Sequence, residues 1–190
     1  QSLGPDDIDA ATVEAASITY LEGYLWDPPE AKKAFRKASE IAHRAGRKVA
    51  ITLSDSFCVD RYRDEFRDLI RTRAVDIVFA NEHELKSLYE TADFDTAVKA
   101  FREEAALAIV TRSEKGSLTI SSDVFVEAPA FPIENLVDTT GAGDLFAAGF
   151  LAGLTRDADF VTCARMGALA AAEVIQHYGA RPEANLRELA

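Results

Sequence analysis

Seven consecutive residues, Asp138-Thr139-Thr140-Gly141-Ala142-Gly143-Asp144, form the most chemically informative pattern in the chain. Small residues at Gly141, Ala142 and Gly143 leave backbone N–H groups uncovered just before the apolar run Leu145 to Leu154. If that run is a helix, those donors and the positive end of its dipole make a site for phosphate or a developing anion. Asp144 falls in the first turn, where its carboxylate is placed to take a proton from an attacking hydroxyl. A structural reading competes with this one: Thr140 as N-cap, the glycines as a tight turn, and Asp144 as a favourable first-turn acid.

Two further segments carry weaker signals. In Thr111-Arg112-Ser113-Glu114-Lys115-Gly116 a threonine hydroxyl and a turn ending in Gly-Ser could hold phosphate oxygens, with Arg112 or Lys115 adding charge. A charged hairpin turn is the competing reading. Asn81 and Glu84 have the spacing of a helix-start capping box. In the functional version, Glu84 holds a water-bound Mg²⁺ and Asn81 touches a phosphate. Other chemistries fit poorly. There is no G-x-x-x-x-G-K-[ST] and no full G-x-G-x-x-G after a strand. His43, His83 and His177 lack metal-ligand spacing, and Cys58 has no nearby His or basic cluster to activate it.

The elements that must position these residues follow from periodicity. Helices are expected at Asp6 to Ala16, Pro28 to Ala45, Asp60 to Arg71, Asn81 to about Glu90, and Phe94 to Ala105. The second carries a stripe of Ala31, Ala34, Phe35, Ala38, Ile41, Ala42 and Ala45; the third turns Tyr62, Phe66, Leu69 and Ile70 inward. Strands are expected at Ser17 to Leu21, Lys48 to Leu53, Val75 to Ala80 and Leu107 to Thr111. Ser117 to Ile120 and Val124 to Glu127 alternate around Ser122-Asp123 as an antiparallel hairpin. After a loop from Ala128 to Asp138, two alanine-rich helices follow, one from near Gly141 and one over about Asp159 to His177. This β-α rhythm predicts an α/β fold, a doubly wound, mostly parallel sheet with helices on both faces. No linker interrupts it, so residues 1–190 read as one domain.

Composition narrows the function classes. With 48% hydrophobic and 28% charged residues the 190-residue chain can bury a core, which rules out wholesale disorder. A net charge of −11 gives no electrostatic footprint for nucleic acid or anionic lipid. The two cysteines, Cys58 and Cys163, lie far apart and suit a reducing compartment. Leu145 to Leu154 is about half a membrane span, and no charged-then-apolar leader opens the chain. A soluble, cytoplasmic protein with no membrane partner is expected. The chain begins with Gln1 rather than Met, as a fragment, a processed product or an ordered remainder would.

Asp138 to Asp144 (DTTGAGD), followed by Leu-Phe-Ala-Ala-Gly-Phe, resembles the second signature of the PfkB/ribokinase family. Asn81-x-x-Glu84 resembles the family's N-x-x-E element, Thr111 to Gly116 its phosphate loop, and Gly179-Ala180 its C-terminal glycine turn. The resemblance covers essentially the whole chain. It implies a ribokinase-like α/β fold and ATP- and Mg²⁺-dependent phosphorylation of a primary hydroxyl on a sugar or nucleoside. By that resemblance Asp144 is the catalytic base and Gly141, Ala142 and Gly143 the anion hole. ATP would be met by Asn81, Thr111, Arg112, Ser113, Glu114, Lys115, Gly116, Gly143 and Ala168. Its adenine would lie between the loop near Ala130 to Leu136 and the helix around Ala164 to Ala168. Glu84 would organise Mg²⁺ through water; Asp138, Thr140 and Gly179 resemble a monovalent-cation site of the kind K⁺ fills.

Ser113 departs from the family pattern, standing where the phosphate loop usually has its first glycine. Intact members also extend further at the N-terminus. The resemblance therefore implies that the first strands of the sheet, the lid and most substrate-reading groups are absent, so that this fragment alone is inactive. Gly167 to Ile175, leading to Gly179-Ala180-Arg181-Pro182-Glu183, and Ser54-Asp55-Ser56-Phe57 look most like adenosine-kinase-type members. An adenosine-like nucleoside is the expected acceptor. A ribokinase- or fructokinase-type sugar kinase and a non-catalytic nucleotide-binding module are the alternatives, and a homodimer is compatible with all three.

Overall fold

The computed structural model describes residues 3–104 and 106–189. Six strands form one sheet in the order β1 to β6: β1 (Ile18–Glu22), β2 (Lys48–Thr52), β3 (Ile77–Asn81), β4 (Leu107–Thr111), β5 (Ser117–Ile120) and β6 (Phe125–Ala128). The helices are α1 (Ala10–Ala15), α2 (Pro29–Arg44), α3 (Ser56–Arg71), α4 (Glu82–Leu88), α5 (Phe94–Phe101), α6 (Ala142–Leu154), α7 (Phe160–Val174) and the short α8 (Leu186–Leu189). The mostly parallel sheet with helices is the α/β fold expected from the rhythm. Among the described residues no helix is long and apolar enough to cross a membrane.

The chain packs as two compact units. The first holds residues 1–110 and 120–124. Here β1 pairs parallel to β2, Ile18 beside Lys48 and Glu22 beside Thr52, and β2 pairs parallel to β3, Ala50 beside Ile77. Val49, Ala50 and Ile51 are all buried, as are Ile77 to Ala80. Consecutive buried residues mean that both strand faces are covered, which is why they read as unbroken apolar runs. The α2 stripe buries as expected from Ala31 to Ala42, but Ala45 lies past the helix end and is exposed. Trp26, fully buried, holds its ring tilted against Phe35, 5.5 Å away, and Phe66, 6.0 Å away, and its Nε1–H donates to Glu65 at 2.9 Å.

Several boundaries differ from the periodicity reading, each for a local reason. The Asp6 to Ala16 helix is two pieces, a 3-10 turn at Pro5–Asp7 and then α1, whose N-cap Asp9 accepts from Thr12 N. The third helix starts a turn early because Asp55 caps it, accepting the Cys58 N–H at 2.8 Å. Tyr62 is not an inward helical residue: its φ of −126° and ψ of 24° kink α3, and its side chain is half-buried. Cys58 and Val59 take the buried places instead. The α4 helix stops at Leu88, short of Glu90, which has a φ of 51°. The α5 helix ends at Phe101; its expected end, Ala105, lies outside the described residues.

The second unit holds residues 111–119 and 125–190. Its dominant feature is the packing of α6 on α7. A Cβ at Gly149 would stand 2.5 Å from the Met166 carbonyl oxygen, and one at Gly167 would stand 2.7 Å from the Phe146 carbonyl oxygen. The backbones therefore touch, and no side chain fits between them. Phe146 and Phe150 fill the flanks, with Phe150 stacked on Phe160 at 6.4 Å. We expect Gly149→Ala to destabilise the fold by about 2 kcal/mol through overpacking against backbone, lowering Tm by roughly 4–8 °C. A melting temperature equal to wild type would show that the crossing is looser than this.

Candidate active site

The second unit assembles most of the residues singled out by sequence. Asp138 is their hub. Its Oδ1 accepts from the Thr140 N–H at 2.9 Å and from the Thr140 hydroxyl at 2.7 Å. Its Oδ2 accepts from the Gly179 N–H at 3.2 Å, across 41 residues of chain. These bonds, the Thr140 hydroxyl first, hold the Asp138 carboxyl below the usual carboxylate range. The three residues read as a cation site thus lie together, joined by direct hydrogen bonds.

Thr140 is not the helix N-cap. Its hydroxyl donates to Asp138, and the cap position falls at Gly141, with φ 80° and no side-chain cap bond. Glycine meets two demands there. The left-handed backbone costs other residues roughly 1–2 kcal/mol, and a Cβ would stand 2.8 Å from the Ala180 Cβ. The Ala142 N–H donates to the Thr139 carbonyl at 3.2 Å, and the Leu145 N–H closes the first helical bond onto Gly141 at 2.9 Å. That leaves Gly143 and Asp144 among the first-turn positions, whose N–H groups lack helical partners by geometry. A Cβ on Gly143 would meet nothing within 4 Å, so the space before it is open. Asp144 is exposed, and among the described residues its carboxylate makes no hydrogen bond or ion pair. It is a first-turn acid that caps nothing.

Thr111 to Gly116 forms the turn between β4 and β5. Arg112 N–H donates to Gly116 O at 2.8 Å around a 3-10 turn at Ser113–Lys115. Ser113 has a φ of 52° and Gly116 a φ of 87°. The serine therefore keeps the left-handed conformation that a glycine adopts freely. Ala168 sits half-buried in α7. The loop expected near the adenine is braced at Glu134, whose N–H donates to Gln176 Oε1 at 2.9 Å.

Asn81 and Glu84 belong to the first unit. Asn81 caps α4, accepting the Glu84 N–H at 2.9 Å on its Oδ1. Glu84 returns both oxygens: Oε2 accepts from the Asn81 N–H at 2.9 Å, and Oε1 from the Asn81 Nδ2–H at 2.7 Å. The capping box is complete. Glu84 is only 5% exposed, and burial pushes its carboxyl up to about 7, against the lowering effect of the Asn81 N–H. Among the described residues no cluster of His, Cys, Asp and Glu could alone hold a metal ion. Cys58 is buried, its thiol donating to Gly23 O at 3.3 Å; burial pushes it up to about 11, so it stays protonated.

What sequence reasoning did not single out is the bracing: the packing of Ala180 behind Gly141, and the hydrogen bonds of Glu173, on the last turn of α7, and of Gln176, just past its end. Glu173 lies in a run noted only for its likeness to kinases, and no local signal marks a side chain whose partners are ten residues away.

The chain belongs to the pfkB family of carbohydrate kinases, whose family model matches residues 2–186. It is 50% identical to the adenosine kinase from Sinorhizobium meliloti, with a TM-score of 0.96 over 99% of this chain and 59% of that one. It is equally, 50%, identical to a probable sugar kinase from Rhizobium etli CFN 42, again with a TM-score of 0.96, covering 98% of this chain and 57% of the other. The cytidine kinase of Thermococcus kodakarensis is 40% identical over 126 residues, 62% of this chain and 45% of its own length. The chain thus spans about half the length of the curated relatives it matches.

Relief of the Ser113 backbone gives a direct check on the turn. Ser113→Gly should raise stability by about 0.5–1 kcal/mol, a Tm increase of roughly 1–4 °C. A lower Tm would show that the serine side chain contributes a contact larger than the backbone cost.

Proposed function

We propose that this protein is an ATP-dependent kinase that transfers the γ-phosphoryl group to a primary hydroxyl of a nucleoside, adenosine-like in kind. The observation that carries the reading is Asp144: an exposed carboxylate without partners, on the first turn of α6, next to the open face of Gly143. In this reading Asp144 accepts the hydroxyl proton as the acceptor oxygen attacks. The first-turn amides of α6 bind the charge that develops on the transferred group. Thr111 and the turn to Gly116 attend the remaining phosphates, and the loop near Ala130 to Leu136 faces adenine with Ala168.

Glu84 offers one carboxylate and Asn81 one amide, which fits a magnesium ion held mainly by nucleotide phosphates and water. When bound, that ion neutralises phosphate charge. Asp138, whose Oδ2 accepts one bond and keeps a lone pair, fits a monovalent cation beside Thr140 and Gly179. A sugar as acceptor is the second reading, supported by the equal likeness to a probable sugar kinase.

Asp144→Asn, made in the full natural length of the protein, tests the assignment. The change keeps size and helix-start geometry but removes the proton acceptor. We expect kcat to fall by about 10²–10⁴, or about 3–5 kcal/mol of barrier, with ATP Kd within a few-fold of wild type. A kcat within a few-fold of wild type would end the catalytic role of Asp144. ATP binding with no turnover of adenosine, cytidine, ribose or fructose by the wild type would favour a nucleotide-binding module instead.

The cation site has its own measurement. Replacing Na⁺ or choline with K⁺ should raise kcat, because a bound cation adds positive charge beside the amides of the α6 start. Equal rates in the three salts would remove Asp138, Thr140 and Gly179 from that role.

A further inference from the structure

The segment from Gly179 to Ala184 has no regular secondary structure, yet Ala180 within it is the surface against which Gly141 packs. Two anchors bracket it. At one end the Gly179 N–H donates to Asp138. At the other, Glu173 Oε1 accepts the N–H groups of both Glu183 and Ala184, each at 2.8 Å. We infer that Glu173 is a positioning residue of the phosphoryl-transfer site: its carboxylate latches the 179–184 loop, and so sets where Ala180 meets Gly141. The inference rests on the proposed kinase function and adds to it a residue that touches no substrate.

Three observations favour a latch over an incidental contact. The Glu173 side chain is only 12% exposed, so its charge is held where few waters compete. Two donors from successive residues converge on one oxygen, the bonding a carboxylate favours over a neutral acceptor. Those bonds from Ala184 and Glu183, with the nearby His177 ring, hold the carboxyl below its ordinary range despite the opposing effect of burial. His177 Nε2 stands 3.4 Å from the same oxygen, and Oε2 is buried without a hydrogen bond. The carboxylate is therefore committed to the loop. Between the two anchors lie Ala180, Arg181 and Pro182, too few residues for Ala180 to wander while both hold.

The consequence is specific. Releasing one anchor lets Ala180 withdraw from Gly141, which loosens the left-handed turn that aims the first amides of α6. A displacement near 1 Å in a transfer site costs about 10²-fold in rate, while groups that only bind nucleotide elsewhere are untouched.

The test compares Glu173→Ala, Glu173→Gln and Ala184→Pro with wild type in the full natural length of the protein. Hydrogen exchange over residues 176–186, kcat, and ATP Kd are measured for each. Ala removes the acceptor, Gln keeps one oxygen in place, and Pro removes one of the two donors while leaving α7 intact. We expect Glu173→Ala to speed exchange at 179–184 and to lower kcat about ten- to hundredfold with ATP Kd within threefold. Glu173→Gln should restore most of kcat, and Ala184→Pro should move kcat in the same direction as Ala. Unchanged exchange, or unchanged kcat in both Glu173→Ala and Ala184→Pro, would overturn the latch. A parallel loss of ATP affinity would also overturn it, since that marks general unfolding. The exchange arm reads the latch whether or not the wild type turns over. Failure of the kinase reading appears separately, as absent turnover by the wild type.

Discussion

Asp138 carries the constraint on which the second unit depends. One carboxylate accepts three hydrogen bonds, two from Thr140 and one from Gly179, which lies 41 residues along the chain from Asp138. The Thr140 hydroxyl hydrogen goes to this carboxylate, and the N-cap of α6 is the next residue, Gly141, with no side-chain cap bond. That position has a φ of 80°, which glycine adopts without strain. The same carboxylate brings Gly179 in, and with it Ala180, whose Cβ occupies the space a larger residue at 141 would need. Helix start, glycine and C-terminal turn meet in one hydrogen-bond network at the surface of the unit.

The α6 and α7 helices supply the rigid base for that network. Their contact is built from glycine against backbone at Gly149 and Gly167, which allows little adjustment because nothing flexible lies in between. The end of α7 then reaches outward three ways. Ile175 O accepts from Val137 N–H, Gln176 braces Glu134, and Glu173 holds Glu183 and Ala184. A helix of small residues along its length and long polar residues at its end is thus both packed and able to orient loops. The first unit works differently, through central strands β2 and β3 buried on both faces and an aromatic cluster around Trp26, whose indole N–H is bonded to Glu65.

Family membership is clear, while the acceptor is not fixed by it. The relatives described include an adenosine kinase, a cytidine kinase and a probable sugar kinase, the first and last at the same identity. A phosphoryl-transfer site can be common to such proteins because it handles the same three phosphate oxygens and one attacking hydroxyl. Selection among acceptors needs contacts to the rest of the substrate. In the first unit Glu84 is spent locally: both its oxygens accept from Asn81, closing the capping box of α4.

Much of the fold could be read from sequence. The strands from Lys48, Val75 and Leu107, and the α2 stripe, follow from local periodicity, because burying an apolar face imposes a repeat on neighbouring residues. The DTTGAGD run could be read too, since small residues before an apolar helix expose amides whatever surrounds them. The capping box at Asn81 and Glu84 is local for the same reason, its partners three residues apart. What failed to show were boundaries and directions set by distant partners. Tyr62 leaves helical geometry within α3 despite a helical spacing, and the N-cap of α6 falls not at Thr140 but at Gly141, whose left-handed turn packs on Ala180. The role of Glu173 depends on amides ten and eleven residues away. Sequence alone determined which backbone groups and carboxylates were available, because those are properties of residue type and spacing. Tertiary structure decided which of them were taken and which stood open, because a hydrogen bond already made removes a donor or acceptor from use.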